Sequence, residues 1–150
     1  MTSKERVLKR ERERGRVDAQ QVQIRSAEMT GTELNAVCEC IPEFAEALKV
    51  MNMLERPVGF VCKSSEGRVV KLLQNYDSTI YTKEPEEYPA LWSFKWSKDA
   101  DKAREFIALS TSPYMVGDCC KEDGAVFRSK ADNNVFSPSH YPEGWERVEE

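Results

Sequence analysis

The feature that most constrains this chain is an internal repeat of the pattern V-G-x-x-C-K, which occupies residues 58–63 and again 116–121. Each copy is followed by a turn that contains glycine and then by a run of strand-forming residues. Each copy also ends in a Tyr-Pro pair whose proline lies three residues before a tryptophan, within 88–92 and 141–145. Because both ends match and the elements keep their order, the repeat predicts two copies of one structural unit with loops of unequal length.

Units of this size need support from a neighbour, because a module of about 40 residues holds too small a core to be stable alone. Residues 30–54 supply one, since Thr30 and Glu33 have the spacing of a helix-capping box and Pro42 suits the first turn of a second short helix. The apolar stripe of that second helix, Phe44, Leu48 and Met51, should pack against the first copy. We therefore expect an α+β fold in which N-terminal helices precede two small antiparallel β-modules, related by the repeat and packed into one body.

The residue types divide the chain into five predicted segments. The first residues mix both charge signs with few apolar residues, which is typical of a polar helix that needs a partner. A segment of helix-forming composition separates the two β-modules, so we expect a helical connector there. The segments are a charged helical arm at 1–29, a short helical lead-in at 30–55, the first β-module at 56–96, the connector at 97–109 and the second β-module at 110–150.

Charge and hydropathy exclude several classes of partner. Residues 1–16 carry seven Lys/Arg against three Asp/Glu, whereas the whole chain has a net charge of −4, so the two parts should have different partners. The basic residues at the start alternate with glutamates without interleaved aromatics, which favours a partner-bound helix over a nucleic-acid interface. No stretch approaches the roughly 18 apolar residues that cross a bilayer, and the start has no apolar signal-peptide region. We therefore expect no membrane partner and no export.

The positions of the cysteines and of the histidine argue against disulfides, a metal site and a catalytic site. The five cysteines are odd in number, and Cys119 and Cys120 are adjacent, which predicts free thiols rather than a disulfide framework. Cys38 and Cys40 could coordinate a zinc ion together with Cys119 and Cys120. Neither pair has C-x-x-C spacing, so no metal site is predicted. The single histidine, His140, has no cysteine or carboxylate at a recognised catalytic spacing. The sequence therefore predicts a protein that is not an enzyme and has no cofactor.

The second copy carries a set of aromatic, glycine, asparagine and Ser-Pro positions in a fixed order, namely 114–118, Gly124, Phe127, Asn133-Asn134, Ser137-Pro138, Tyr141-Pro142 and Trp145. This pattern resembles carbohydrate-binding modules of family 5/12, the chitin-binding type, in a variant similar to modules common in phage and prophage structural proteins. The first copy resembles the module that precedes it in such proteins, and residues 41–44 resemble their helical lead-in. The resemblance covers about residues 30–150.

The resemblance implies a glycan site in the second copy, formed by Tyr114, Tyr141 and Trp145. Sugars bind aromatic faces because their apolar C–H patches cover the flat ring while their hydroxyl groups stay in water. The alternative for Trp145 is a core role, since one aromatic residue supplies much of a small core. Phe60 stands where an aspartate is usual, and the first copy has an insertion near 79–87, so a purely structural first module is expected.

Together these features favour a non-enzymatic bacteriophage virion structural protein, part of a tail, fibre or head appendage. Its modules would serve host-surface glycan attachment or subunit assembly. The expected partners are other virion subunits through residues 1–29, a cell-surface glycan, and further copies of the chain in a homo-oligomer. Such a protein is made and assembled in the host cytoplasm and ends in the virion. The alternative is a soluble polysaccharide-binding adaptor that is not part of a particle.

Overall fold

The computed structural model of this protein describes residues 19–148, in which short helices precede two small sheets. Helix α1 is described over 19–25, α2 spans Gly31–Ala36 and α3 spans Phe44–Val50. No helix in this part of the chain is both long enough and apolar enough to cross a membrane. The predicted α+β class is confirmed.

The capping box predicted for α2 is present. The Thr30 hydroxyl accepts from the Glu33 N–H at 3.1 Å, and the Glu33 carboxylate accepts from the Thr30 N–H at 3.0 Å. Pro42, predicted in the first turn of α3, instead lies in extended chain before that helix. The reason is a pairing with the first sheet, because the Pro42 carbonyl accepts from the Lys63 N–H at 2.9 Å.

Each sheet contains an antiparallel meander of three strands. In the second sheet a fourth, short strand adds to the edge in parallel, and it comes from the chain between the two meanders. The first sheet has the order β1 (Val61–Lys63), β2 (Val69–Leu72) and β3 (Trp92–Lys95), and the second has the order β4 (Arg104–Glu105), β5 (Cys119–Glu122), β6 (Ala125–Ser129) and β7 (Trp145–Arg147).

The same backbone hydrogen bonds close the start of both meanders. The Gly59 N–H donates to the Leu72 carbonyl at 2.8 Å, and the Gly117 N–H donates to the Ser129 carbonyl at 2.9 Å. In the opposite direction, the Leu72 N–H donates to the Phe60 carbonyl and the Ser129 N–H donates to the Asp118 carbonyl, at 2.8 Å in both modules. Both glycines have positive φ, +98° and +94°, which is the geometry of a β-bulge that begins with glycine. The repeated V-G pair therefore marks a backbone position that needs glycine.

The loops differ in length, as the repeat predicts. Between the first two strands, the first module uses residues 64–68, whereas the second uses only Asp123 and Gly124, both with positive φ. Between the last two strands, the first module has nineteen residues and the second has fifteen. The longer connection contains the insertion near 79–87.

One difference between the copies has a direct physical reason. In the second module, the Asp118 carboxylate accepts from the Met115 N–H at 2.8 Å and so closes a turn. The residue that corresponds to Met115 in the first module is Pro57, which has no N–H to satisfy. Phe60 can therefore replace the aspartate, and it is buried with the Arg56 guanidinium 4.4 Å from its ring centre.

Both modules and α3 share one apolar core, so the predicted single body is confirmed. Phe44 is buried in this core and Leu48 packs against it, as expected for the stripe of α3. Met51 does not join them, because α3 ends at Val50 and the chain becomes extended. The buried aromatic residues of the core are Phe44, Phe60, Tyr76, Trp92, Phe94, Trp96, Tyr114 and Trp145.

The segment predicted as a helical connector, 97–109, is extended instead. Its regular elements are a 3-10 turn at Ala100–Lys102 and strand β4. Backbone bonds to β5 replace helical ones, since the Phe106 N–H donates to the Lys121 carbonyl at 2.9 Å. Helix-forming composition is a weak preference that tertiary pairing of this kind overrides.

Residues 1–18 of the predicted arm lie outside the described residues, and the arm is described only from residue 19 onward. From there it belongs to the first module, because Val22 is buried in a second apolar cluster with Leu34, Ile41 and Val61. The folded part of the chain thus starts no later than residue 19, rather than at residue 30.

Candidate functional site

Two of the three residues predicted to bind a glycan lie in the core. Tyr114 is only 1% exposed; its ring stacks on Trp96 with centroids 4.4 Å apart and on Phe106 at 5.4 Å. Trp145 is 5% exposed and meets the Tyr114 ring edge-on at 5.3 Å. Burial also raises the pKa of the Tyr114 phenol far above its ordinary value. Neither residue presents a ring face to a ligand, and the structure gives Trp145 the core role considered for it.

Tyr141, the third predicted residue, does reach the surface. It is 38% exposed and stands edge-on to Phe136, which is 59% exposed, with ring centroids 6.1 Å apart and planes at 80°. The Tyr141 ring packs directly over Gly144, where any side chain would collide with it. Gly144 is therefore required for this position of the ring.

The core holds the surface pair in place. The buried Trp145 indole N–H donates to the Phe136 carbonyl at 2.8 Å, so a core side chain fixes the backbone that carries an exposed ring. In the chain between Phe136 and Tyr141, the Tyr141 N–H donates to the Ser137 carbonyl at 2.8 Å and closes a turn. The pair is thus preorganised by contacts that do not use its exposed surfaces.

Three polar residues lie between Phe136 and Tyr141 in the chain, and Glu122 of β5 is bonded to one of them. The Ser139 N–H and hydroxyl both donate to the Glu122 carboxylate, at 3.0 and 3.2 Å. The Ser137 hydroxyl lies 2.7 Å from His140 Nδ1 and also accepts from the His140 N–H at 3.2 Å. Because the contacts between Ser137 and His140 lie within one turn, they are typical of a side-chain cap rather than of a nucleophile with a base from elsewhere. They leave an aromatic surface with hydroxyl, imidazole and carboxylate groups beside it.

Phe136 is the residue of this surface that sequence reasoning missed. The signal available was the repeated Tyr-Pro pair, which draws attention to Tyr141 but not to a ring five residues earlier. Phe136 stands before Ser137-Pro138, and such a position alone does not distinguish a core aromatic residue from a surface one. The contact between the two rings is what singles it out.

The cysteines occupy structural positions. Within residues 19–148, no three His, Cys, Asp or Glu side chains lie together as a metal site would require. Cys62 and Cys120 are buried at equivalent strand positions, as the repeat predicts. Burial raises the thiol pKa of both well above the ordinary value. They act as small core residues.

Comparison of the chain with protein-family models, with curated proteins and with solved structures finds no match. The resemblance to carbohydrate-binding modules therefore stays a prediction. Since folds alone do not determine function, the functional inference depends on the surface that Phe136 and Tyr141 form.

Proposed function

We propose that this chain is a non-enzymatic structural protein of a bacteriophage virion that attaches to a cell-surface glycan through Phe136 and Tyr141. The observation that carries the glycan part is this exposed aromatic pair, fixed by the core and bordered by polar side chains. The virion part, in a tail, fibre or head appendage, is supported by the resemblance of residues 114–145 to modules of phage structural proteins.

The chemistry of the pair suits a sugar better than an apolar partner. A pyranose ring has C–H groups that cover an aromatic face, while its hydroxyl groups need hydrogen-bonding partners or water. The exposed parts of Phe136 and Tyr141 supply the apolar contact, and the loop from Ser137 to His140 supplies hydroxyl and imidazole groups next to it. Ser139 and His140, which are exposed on this loop, would lose their contact with water under a wholly apolar partner.

The rigidity of the loop raises the affinity that such a small surface can reach. Ordering a loop on binding opposes association, and this loop is already ordered by the Trp145 indole, the Ser137 cap and the Glu122 carboxylate. Each aromatic contact then contributes on the order of 0.5–1.5 kcal/mol, which corresponds to a roughly 2- to 12-fold change in affinity.

Assembly is assigned to the part of the predicted arm that lies outside the described residues. Because residues 19–29 pack on the first module, we assign docking to other virion subunits, and to further copies of the chain, to residues 1–18. A protein without residues 1–18 should then fold normally but fail to enter the particle or its oligomer. Normal incorporation of this truncation would remove the docking role and favour the soluble adaptor.

The glycan site is tested with the full-length protein on chitohexaose, insoluble chitin and purified host cell-wall polysaccharide. Phe136→Ala and Tyr141→Ala should each weaken binding several-fold. The melting temperature should change little in Phe136→Ala, because that side chain is largely exposed, and should fall further in Tyr141→Ala, whose ring packs over Gly144, without unfolding the protein. Phe136→Leu keeps apolar volume without a ring and should also weaken binding. Val116→Ala, which truncates another exposed apolar residue of the same module, is the control and should bind normally. Absence of wild-type binding to all three probes would refute the proposal.

A further inference from the structure

A second aromatic pair, of which Tyr81 is exposed and Tyr88 half-buried, lies at the matching place of the first module. Tyr88 is the counterpart of Tyr141, because each precedes a proline and lies four residues before a buried tryptophan. Tyr88 meets Tyr81 with ring centroids 6.0 Å apart and planes at 83°, whereas Tyr141 meets Phe136 at 6.1 Å and 80°. The same edge-on arrangement is therefore built twice, although the two connecting loops differ in length.

The support beneath the two pairs also corresponds. Trp92, the counterpart of Trp145, donates its indole N–H to the Tyr76 hydroxyl at 3.3 Å. Tyr76 is buried and contacts both rings of the pair, with centroids 6.4 Å from Tyr81 and 5.9 Å from Tyr88. The buried tryptophan thus bonds to the backbone of a ring residue in the second module, and to a buried tyrosine that contacts both rings in the first. Burial raises the pKa of Tyr76 to about 12, as expected for a phenol that stays neutral under the pair.

The insertion of the first module builds this surface. The Tyr88 hydroxyl accepts from the Lys83 N–H at 3.0 Å, which ties the second ring to the inserted loop. At the start of the loop, the Asp77 carboxylate accepts from the Thr79 hydroxyl and N–H, and these bonds hold its pKa below the ordinary value. Ile80, also exposed, flanks Tyr81 in the chain.

A purely structural role does not account for the whole cluster. It explains Tyr76, which is buried, and the half-buried Tyr88. It does not explain Tyr81, which leaves 51% of its surface in water while its ring meets two other rings at their edges. A large aromatic residue held rigidly at the surface is characteristic of a binding site rather than of a core.

We propose that Tyr81 and Tyr88 form a second glycan site, so that one chain binds the same class of glycan at two places. This proposal rests on the proposed function of Phe136 and Tyr141, from which it takes the chemistry of the ligand. Two sites on one rigid body raise the apparent affinity for a repeating surface glycan, because the second contact forms at a high effective concentration. A short oligosaccharide that reaches only one site does not gain this affinity. Comparing its binding with retention on a repeating glycan therefore shows whether two sites act together.

The test counts sites on the full-length protein with chitohexaose and with oligosaccharide fragments of the host cell wall, by calorimetric titration. The wild type should bind two ligands per chain, Tyr81→Ala one, Phe136→Ala one, and the double variant none. On insoluble chitin or intact cell wall, each single variant should lose at least 10-fold in retention, as expected when a two-site attachment becomes a one-site attachment.

The controls separate this proposal from the one on which it rests. Ile80→Ala removes an exposed apolar side chain from the same loop without removing a ring, and it should bind like the wild type. A Tyr81→Phe variant keeps the ring and should also keep two sites. A contrary result would be one ligand per wild-type chain, with binding lost in Phe136→Ala and unchanged in Tyr81→Ala. That result would overturn the site at Tyr81 and Tyr88 and leave the site at Phe136 and Tyr141. Failure of the wild type to bind any of the probes would overturn both.

Discussion

The side chain of Gln23 takes the place of a neighbouring strand at the outer edge of the first sheet, and its removal should measurably destabilise the protein. Its amide oxygen accepts from the Val61 N–H at 2.9 Å, and its amide nitrogen donates to the Val61 carbonyl at 2.7 Å. Together with the bond from the Lys63 N–H to the Pro42 carbonyl, this pairs three outward-facing backbone groups of β1. An open strand edge would otherwise be available for pairing with another chain.

The size of the effect follows from two hydrogen bonds. Each contributes a net 0.5–1.5 kcal/mol, so Gln23→Ala should lower the free energy of unfolding by about 1–3 kcal/mol. For a chain of this length, about 2 kcal/mol corresponds to a drop in melting temperature of roughly 4–8 °C. Gln23→Glu should be at least as destabilising, because it keeps the acceptor for Val61 N–H but turns a carboxylate oxygen toward the Val61 carbonyl.

The measurement compares thermal and urea-induced unfolding of Gln23→Ala with those of Gln21→Ala. Gln21 lies on the same helix and is exposed, so its substitution changes helix propensity equally without removing a contact to β1. Amide hydrogen exchange should also accelerate at Val61 in Gln23→Ala alone. Equal melting temperatures for the two variants, with unchanged exchange at Val61, would refute the role of Gln23 at the strand edge.

Three other properties should follow from burial. Trp145→Ala should lower the free energy of unfolding by about 3–5 kcal/mol, measured by circular dichroism, and an unchanged melt would contradict its core position. Burial raises the pKa of the Asp118 carboxyl in the folded state, so the folded protein binds this proton more tightly than the unfolded chain. Relative to Asp118→Asn, which keeps an acceptor for Met115 N–H, wild-type stability should therefore fall as pH rises from about 4 toward neutrality; a relative gain would disprove this. Thiol titration should find five reactive groups in denaturant, and in the native protein the half-buried Cys40 should react before the buried Cys62.

The repeat made the fold predictable because its most specific residues have backbone roles. Gly59 and Gly117 take conformations that other residues adopt at a cost, so their spacing reports the position of two bulges. Trp92 and Trp145 begin the last strand of each meander. Patterns of this kind depend on local geometry, which a sequence encodes directly.

The site was less predictable, because exposure depends on contacts between distant segments. Tyr114 and Tyr141 are the same residue type, yet the first is buried under Trp96 and Phe106, which directly follow β3 and β4 in the chain. The segment 97–109 is extended rather than helical for the same reason, since β4 within it pairs with β5 of the second module. Composition describes a segment but not its neighbours.

The first and fourth positions of the turn that opens each module are coupled. They are Pro57 and Phe60 in the first module, and Met115 and Asp118 in the second. A proline at the start of the turn leaves the fourth position unconstrained, whereas any other residue there presents an N–H that an acceptor at the fourth position can satisfy. These two positions should therefore change together as copies diverge. A search for distant relatives should allow either combination, a proline followed by an apolar residue or a non-proline followed by aspartate, and should weigh the intermediate glycine above both.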